Sequence, residues 1–548
     1  MYRNVCSYSK QGKTIVWEAT WDKNGNRVEI ETPIEPYLYY EDVNFKDSPD
    51  KSIYGKPLRF MKFNSSFERN EWIKTSKNIP LFEKFSAEKQ YLIDKYFGLE
   101  QTPEFIQHNL KVYFFDIEVE INNKFPDPEY ADYPINVLSI FDSLSKDMFV
   151  WTYNKDINKV LTNDNIKKIQ KEINENYEET TKVNIFKFND EKQMLKNFLD
   201  WWELNFPDVV TGWNIDKFDT PYLVNRLTKI LGDVEVKRLS PISWHKNAVK
   251  VSYEQKLKQF VVSYKIMGVS LCDYLNLYKK FIPKSQQSFK LDYIAKMDTG
   301  IGKLDYYDLG YDSIQDFMRK DFSTFVKYNI IDTICVKKID DVRHFIKLMR
   351  RVCNMGLCEY ESIFKSIPYI IGALAITARH KGMKFLTDKN QSEDKKIHSD
   401  GFEGAFVFPT KPGYYNAGIA SFDFNSLYPN IMMSLNMSPE TMVGKVISDI
   451  GEEIPEEIMI KKRNGSIIKI SNSEFQEILD KKCSISANNV LFIKPSIKFG
   501  IIPTFLDNLY KQRKSIKKEM KNNEKEAQNI GKEIKKLEKE LSSLEKES

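Results

Sequence analysis

Hydrophobic and polar positions change period several times along this chain. Near the start, alternating runs such as KTIVWEATWD are broken by the turn signal DKNGN, which predicts a β-rich domain opening on a hairpin. From Val112 the run VYFFDIEVEI is apolar on both faces yet interrupted by acids, and the signals that follow to about Phe345 predict an α/β domain. Within it, KVSYE and FVVSYKIMG flank the polar QKLKQ, a spacing that suits a protruding hairpin at roughly 250–264 or a plain sheet edge. Residues 351–395 read as helical, most clearly in IIGALAITARHKGMKF, and the Gly and Pro density of GFEGAFVFPTKPGYY predicts an interdomain loop. A strand-like IASFDF, a helical SLYPNIMMSLN and a charge-rich stretch to about Lys482 come next. From about Pro503 to Ser548 the pattern is one long helix with proline near its start.

Length and composition narrow the classes. A chain of 548 residues exceeds one hydrophobic core and predicts several domains. An apolar fraction of 41% supplies those cores, whereas 29% charged residues argue against a membrane protein. No apolar run approaches the ~20 residues of a spanning helix. The opening MYRNVCSYSKQGKTIVWEA lacks a signal design, so a cytoplasmic location is expected. Six cysteines, Cys6, Cys272, Cys335, Cys353, Cys358 and Cys483, form no zinc pattern and read as reduced, packed thiols. A net charge of +5, from 82 basic against 77 acidic residues, does not by itself announce nucleic acid.

The candidate chemistry lies in scattered acids. Asp116 and Glu118 stand two apart on one predicted strand, so they project from one face and can share a divalent ion. Like charges set that close among FFDIEV are costly unless a metal joins them. Asp219, in TGWNIDKFDTPYL, falls at a strand-to-helix junction; Tyr328 and Asp332, in YNIIDT, share a helical face. Singly, Asp219 reads equally as a helix cap, Tyr328 as a half-buried aromatic and Asp332 as a surface charge. Together they supply the carboxylates and the water-orienting hydroxyl that phosphodiester hydrolysis by two hard cations requires.

DIE, NIDKFD and YNIID, in that order, resemble the three exonuclease motifs of family B DNA polymerases, most nearly the replicative enzymes of T-even-like tailed phages. The resemblance implies Asp116, Glu118, Asp219 and Asp332 as ligands for Mg²⁺ or Mn²⁺, two ions in all. It implies Tyr328 as the residue that orients water, with Asn214 and Phe218 as supports near the DNA. KFPDP matches a family loop whose aromatic stacks on an unpaired base, so Phe125 is a DNA contact or, failing that, a core phenylalanine.

SFDFNSLYPNIM resembles polymerase motif A. Carried over, Asp423 binds the catalytic metals, Phe424, Ser426 and Leu427 cradle the triphosphate, and Tyr428 gates against a ribose hydroxyl. GFEGAFV, PGYY, NMSPETMVG and KFGIIPTFLDNLYKQRKSIKKEM follow the same family, and Arg513 and Lys517 suit triphosphate oxygens or are an ordinary basic helix surface. Asn430 stands where the family usually has Ser, and Phe402 where Tyr commonly leads the loop.

The resemblance implies a multidomain α/β and α+β protein. Its parts are a β-rich N-terminal domain at 1–111, an RNase H-like exonuclease domain with a mixed sheet at 112–345 and a helical return at 346–395. A partial palm follows at 396–502 and the first fingers helix at 503–548. No KxxxNSxYG-like helix or second acidic DTD-type turn is seen, so polymerisation from this chain alone is not expected. Ile530, Ile534, Leu537, Leu541 and Leu544 draw an apolar seam along the last helix. By the resemblance the seam's natural partner is a second fingers helix, which a second polymerase chain carrying the remaining palm, fingers and thumb would supply; the rival reading is a prematurely ended or artificially cut gene.

The expected function is proofreading 3′→5′ exonuclease on primer-template and single-stranded DNA, in the cytoplasm of an infected bacterial host. Deoxynucleoside triphosphate is expected only in the completed polymerase, a sliding clamp only through the second chain, and no membrane partner. The competing classes are a catalytically silent nucleic-acid-binding module and a scaffolding fragment.

Overall fold

The alternation of VYFFDIEV builds the strand Val112–Val119, with Tyr113, Phe115, Ile117 and Val119 buried in one core and the two acids facing the other way. The computed structural model describes residues 2–547 apart from 43, 46, 77–78, 100–106, 122–124, 178–181, 257–258, 284–285, 389–406, 425 and 451–454. The chain divides into two compact units. One comprises Met1–Tyr37, Lys62–Thr75 and Phe85–Gly372, the other Leu38–Met61, Ser76–Lys84 and Ala373–Ser548.

In the first unit the acid-bearing strand sits inside a six-stranded mixed sheet. The order is Lys182–Phe188, Asp147–Tyr153, Ile135–Asp142, Val112–Val119, Val209–Thr211 and Ser270–Leu271. Pairing is antiparallel on both sides of Ile135–Asp142 and parallel at the other three junctions. Helices Glu191–Leu204 and Asp219–Leu231 cover one face through Phe198, Trp202, Tyr222 and Leu227. Helix Phe322–Arg343 covers the opposite face, where the Ser139 and Thr333 hydroxyls share a hydrogen bond of 2.6 Å. Asp321 caps that helix by accepting from the Thr324 N–H, and His344, at φ 55°, ends it in the left-handed region.

The expected amino-terminal hairpin is present. Strands Tyr2–Lys10, Lys13–Trp21 and Arg27–Ile34 form an antiparallel sheet, and the Asp22 carboxylate holds the second turn by accepting from Asn24 and Asn26 N–H groups at 2.8 Å each. Asp208, just ahead of the strand Val209–Thr211, pins this sheet to the mixed one. It accepts from Arg3 at 2.8 Å, Arg27 at 2.6 Å and the Lys111 N–H at 2.8 Å. The hairpin expected near 250–264 also forms, with Val249 opposite Ile266 and Lys256 opposite Gln259.

The second unit contains a five-stranded antiparallel sheet ordered Ile467–Ser471, Glu457–Lys462, Met442–Val446, Val490–Ile493 and Cys483–Ile485. Its core gathers Val446, Ile458, Ile460, Cys483 and Leu491 under Phe475 of the helix Asn472–Lys481. A long helix spans Ile501–Glu547, with Pro503 in its first turn, where a missing N–H costs nothing.

Two expectations need correction. The helical reading of 351–395 fails between His380 and Asp388: Gly382 turns the chain at φ 69°, and Met383–Lys384 and Leu386–Asp388 are short strands paired with Lys51–Ser52 and Leu81–Phe82, while 389–395 lie outside the described residues. Tertiary pairing there overrides local helix preference. IASFDF is not a strand; among the described residues nothing pairs with it, and Ile419, Phe422 and Phe424 are exposed. Phe402, Lys124 of KFPDP, Asn425 of motif A and the Leu544 side chain lie outside the described residues. Among the described residues no helix is long and apolar enough to cross a membrane. All six cysteines are free and buried.

Candidate active site

Strand alternation and helical periodicity meet at the sheet face beneath the helix Phe322–Arg343. Asp116 and Glu118 reach it from the strand, and Asp332 from the helix, so that one carboxylate oxygen of each lies within 4.8 Å of the others. Asp219 opens the helix Asp219–Leu231 and accepts the Ile117 N–H at 3.1 Å, which ties its carboxylate to the backbone between the two strand acids. The structure therefore gathers the four acids singled out in the sequence. Tyr328, one helical turn before Asp332, is buried beside them.

Burial is the main force on these groups. It raises Asp116 well above the carboxylate range, with further push from Asp219, Asp332 and Glu118. Glu118 is pushed up to about 8, first by burial and then by the Asp332 charge. Burial also lifts Asp219 to about 7 against the lowering pull of its N–H bonds, and raises Asp332 against the pull of Lys303.

Lys303 and Asn329 escaped the sequence reading. Lys303 forms an ion pair with Asp332 and lies 4.9 Å from the Tyr328 ring centroid. Burial works against its charge, yet Asp332 and Tyr328 raise it well above the ordinary lysine value. Gly300, at φ 74°, ends the helix Leu291–Thr299, and the Lys303 N–H returns to Asp292 at 2.9 Å, which delivers the side chain. No periodic signal marks that loop. Asn329 donates to Asp116 at 2.6 Å and was legible only as the neighbour of Tyr328 in YNIID.

The donor set suits a hard divalent cation. It offers three clustered carboxylates whose burial is costly without a counterion, and the Asp332 Oδ1 is buried with no hydrogen-bond partner. Around this centre Phe125 is 76% exposed with its ring 5.4 Å from Phe218, which removes the core alternative for Phe125. Asn214 takes a left-handed φ of 70°, held by its N–H bond to Asp273 at 3.3 Å; Asp273 also accepts from the Asp216 N–H.

The second candidate set lies in the other unit. Asp423, Phe424, Leu427 and Tyr428 are exposed, and Ser426, at φ 53°, precedes the helix Leu427–Ser434. Arg513 of the long helix donates to the Ser426 hydroxyl at 3.2 Å, and Lys517 lies exposed one turn further on. Asp423 does not belong to a cluster of three metal-binding side chains among the described residues.

Comparison with known proteins finds matches over both stretches of the chain. A model of the DNA polymerase family B exonuclease domain matches residues 56–294, which include Asp116, Glu118 and Asp219; Tyr328 and Asp332 lie beyond it. A model of DNA polymerase family B matches residues 369–537, which include Asp423 and Arg513. The DNA-directed DNA polymerase of Enterobacteria phage T4 is 31% identical over 515 residues, covering 92% of this chain and 53% of the relative. That of Escherichia phage RB69 is 28% identical over 525 residues, covering 92% and 52%. A DNA polymerase catalytic subunit of human herpesvirus 7 is 30% identical over 267 residues, 48% of this chain and 26% of that protein. The chain spans about half the length of the two phage relatives. With matches to both the exonuclease and the polymerase portions of one family, the chain belongs to DNA polymerase family B.

Proposed function

We propose that the first unit is a 3′→5′ exonuclease that removes nucleotides from single-stranded or frayed primer ends. The observation that carries this is the meeting of Asp116, Glu118 and Asp332 within 4.8 Å, with Asp219 tied to the backbone between the strand acids. Two Mg²⁺ or Mn²⁺ ions held there would polarise the scissile phosphate and supply hydroxide at neutral pH. Asn329 fixes the Asp116 carboxylate, and Lys303 pairs with Asp332 beside Tyr328, pulling against the rise that burial imposes on that acid. The Tyr328 hydroxyl, kept protonated by burial and by Asp332, is the group that orients the attacking water. Phe125, exposed beside Phe218, stacks on the unpaired terminal base.

In the second unit Asp423 and Tyr428 serve the nucleotide end of a polymerase site, with Arg513 and Lys517 facing triphosphate oxygens. Nucleotidyl transfer by two metals needs further carboxylates beside Asp423. Ile530, Ile534, Leu537 and Leu541 are all at least half exposed along the long helix. This seam supports pairing with another apolar helix; the partner proposed for it is a second polymerase chain carrying palm, fingers and thumb, and through it a sliding clamp. Action is assigned to the cytoplasm of an infected bacterial host.

An end-labelled oligonucleotide incubated with Mg²⁺ or Mn²⁺ tests the exonuclease. Stepwise loss from the 3′ end is expected, abolished in the Asp116→Ala, Glu118→Ala chain. Binding without degradation would replace the enzyme by a silent binding module. Primer-template with deoxynucleotides should show no extension by this chain alone, and a second polymerase-like chain should co-purify from the native source.

A further inference from the structure

The hairpin joining Tyr2–Lys10 to Lys13–Trp21 turns on Gln11 and Gly12, both at positive φ, and sets Lys10 opposite Lys13 at its tip. Residues 240–248 pack against one face of this hairpin. Ile242 is buried with Tyr8, Ile15 and Trp17, and the Ser240 hydroxyl donates to the Met267 carbonyl at 2.7 Å, so the segment is anchored at both points. Two residues after Ile242 the chain presents Trp244, 57% exposed. Tyr8 meets its ring edge-on at 5.1 Å, and the Lys10 ammonium lies 5.2 Å from its centroid. Next to it, burial first and then Lys246 and Lys237 lower the His245 pKa, which places two more cations around the same turn. The acid paired within this patch is Glu31, 3.2 Å from Lys10. At the edge of the other face Thr14 accepts the Ser66 N–H at 2.8 Å, and the following Phe67 is 75% exposed.

Single exposed apolar residues are ordinary on protein surfaces. Here the indole is held by a buried neighbour and an aromatic edge, under an ammonium delivered from a strand tip far away in sequence. A pre-set ring flanked by lysines is what single-stranded nucleic acid uses: the ring stacks on a base of any sequence, and the lysines track the phosphates. We propose that Trp244, with Lys10, Lys13 and Lys246, forms a stacking step for single-stranded DNA outside the acid cluster, with Phe67 as a second ring across the hairpin tip. The proposal rests on the reading that this chain acts on DNA and adds a contact that the exonuclease chemistry does not use.

The test uses the full chain carrying Asp116→Ala and Glu118→Ala, without divalent cation, and the fluorescence anisotropy of a labelled oligothymidylate of roughly 20 nucleotides. Trp244→Ala is expected to weaken binding by about tenfold, and Trp244→Phe, which keeps a ring, by less than about threefold. Lys10→Ala with Lys246→Ala should reduce the slope of log affinity against log salt by roughly 1.4, about 0.7 for each phosphate no longer neutralised. The lysine pair lies on the surface, so its result stands even if Trp244→Ala loosens the loop. Affinity and salt slope unchanged in all three variants would overturn the proposal. Degradation of an oligothymidylate of about 4 nucleotides by the chain with its acids intact reports the exonuclease reading separately.

Discussion

The side-chain amide of Asn329 donates to the Asp116 carboxylate at 2.6 Å, across 213 positions of sequence. This hydrogen bond joins the covering helix to the acid-bearing strand and fixes which oxygen of Asp116 remains for a cation. Asn329→Ala should therefore lower the turnover of the proposed exonuclease by about tenfold while leaving the KM for an oligonucleotide near its starting value, because the amide acts on the Asp116 carboxylate and not on the DNA. A rise in KM at constant turnover would assign Asn329 to substrate binding instead.

Lys303 is the cation nearest Asp332. Replacing it with Met removes the charge that pulls the Asp332 pKa down, so Asp332 should hold its proton to higher pH. The expected outcome is a pH–rate profile whose acid limb moves upward, with a higher Mg²⁺ concentration for half-maximal degradation. An unmoved acid limb would limit Lys303 to packing against Tyr328.

Folding keeps protons on Glu118 and Asp219, pushed up to about 8 and about 7 by burial, where the unfolded chain releases them in the ordinary carboxylate range. Between those limits the folded chain binds more protons than the unfolded one, so raising the pH from about 5 to 8 removes stability. Below the ordinary carboxylate range both states are protonated and the contribution is complete. Melting in EDTA should therefore fall across that interval, and Mg²⁺ should restore more at the upper end than at the lower. A metal-induced shift independent of pH would count against the buried acids as its source.

Asp208 accepts from Arg3, Arg27 and the Lys111 N–H in the interior of the first unit. Asp208→Ala leaves the buried Arg3 guanidinium without its carboxylate, at an expected cost of about 3–5 kcal/mol. Urea unfolding followed by circular dichroism measures it. A loss below about 1 kcal/mol would mean that water replaces the carboxylate.

Part of this molecule was fixed by local order. Strand alternation alone sets Asp116 and Glu118 on one face, helical spacing alone sets Tyr328 a turn from Asp332, and the DKNGN turn follows from the Asp22 carboxylate accepting the Asn24 and Asn26 N–H groups. Such features need no partner, so they are legible in the chain, as was the order of the motifs. Other features depend on what comes alongside. Asp208 reads as one more surface acid until Arg3 and Arg27 fold onto it, and Lys303 as one more loop lysine until Asp332 arrives. The strand pattern of IASFDF shows the converse: a strand is stable only where another strand completes its hydrogen bonds, and among the described residues none does. Local geometry travels with the sequence; charge pairing and strand pairing are decided between distant segments, and only the tertiary structure brings those together.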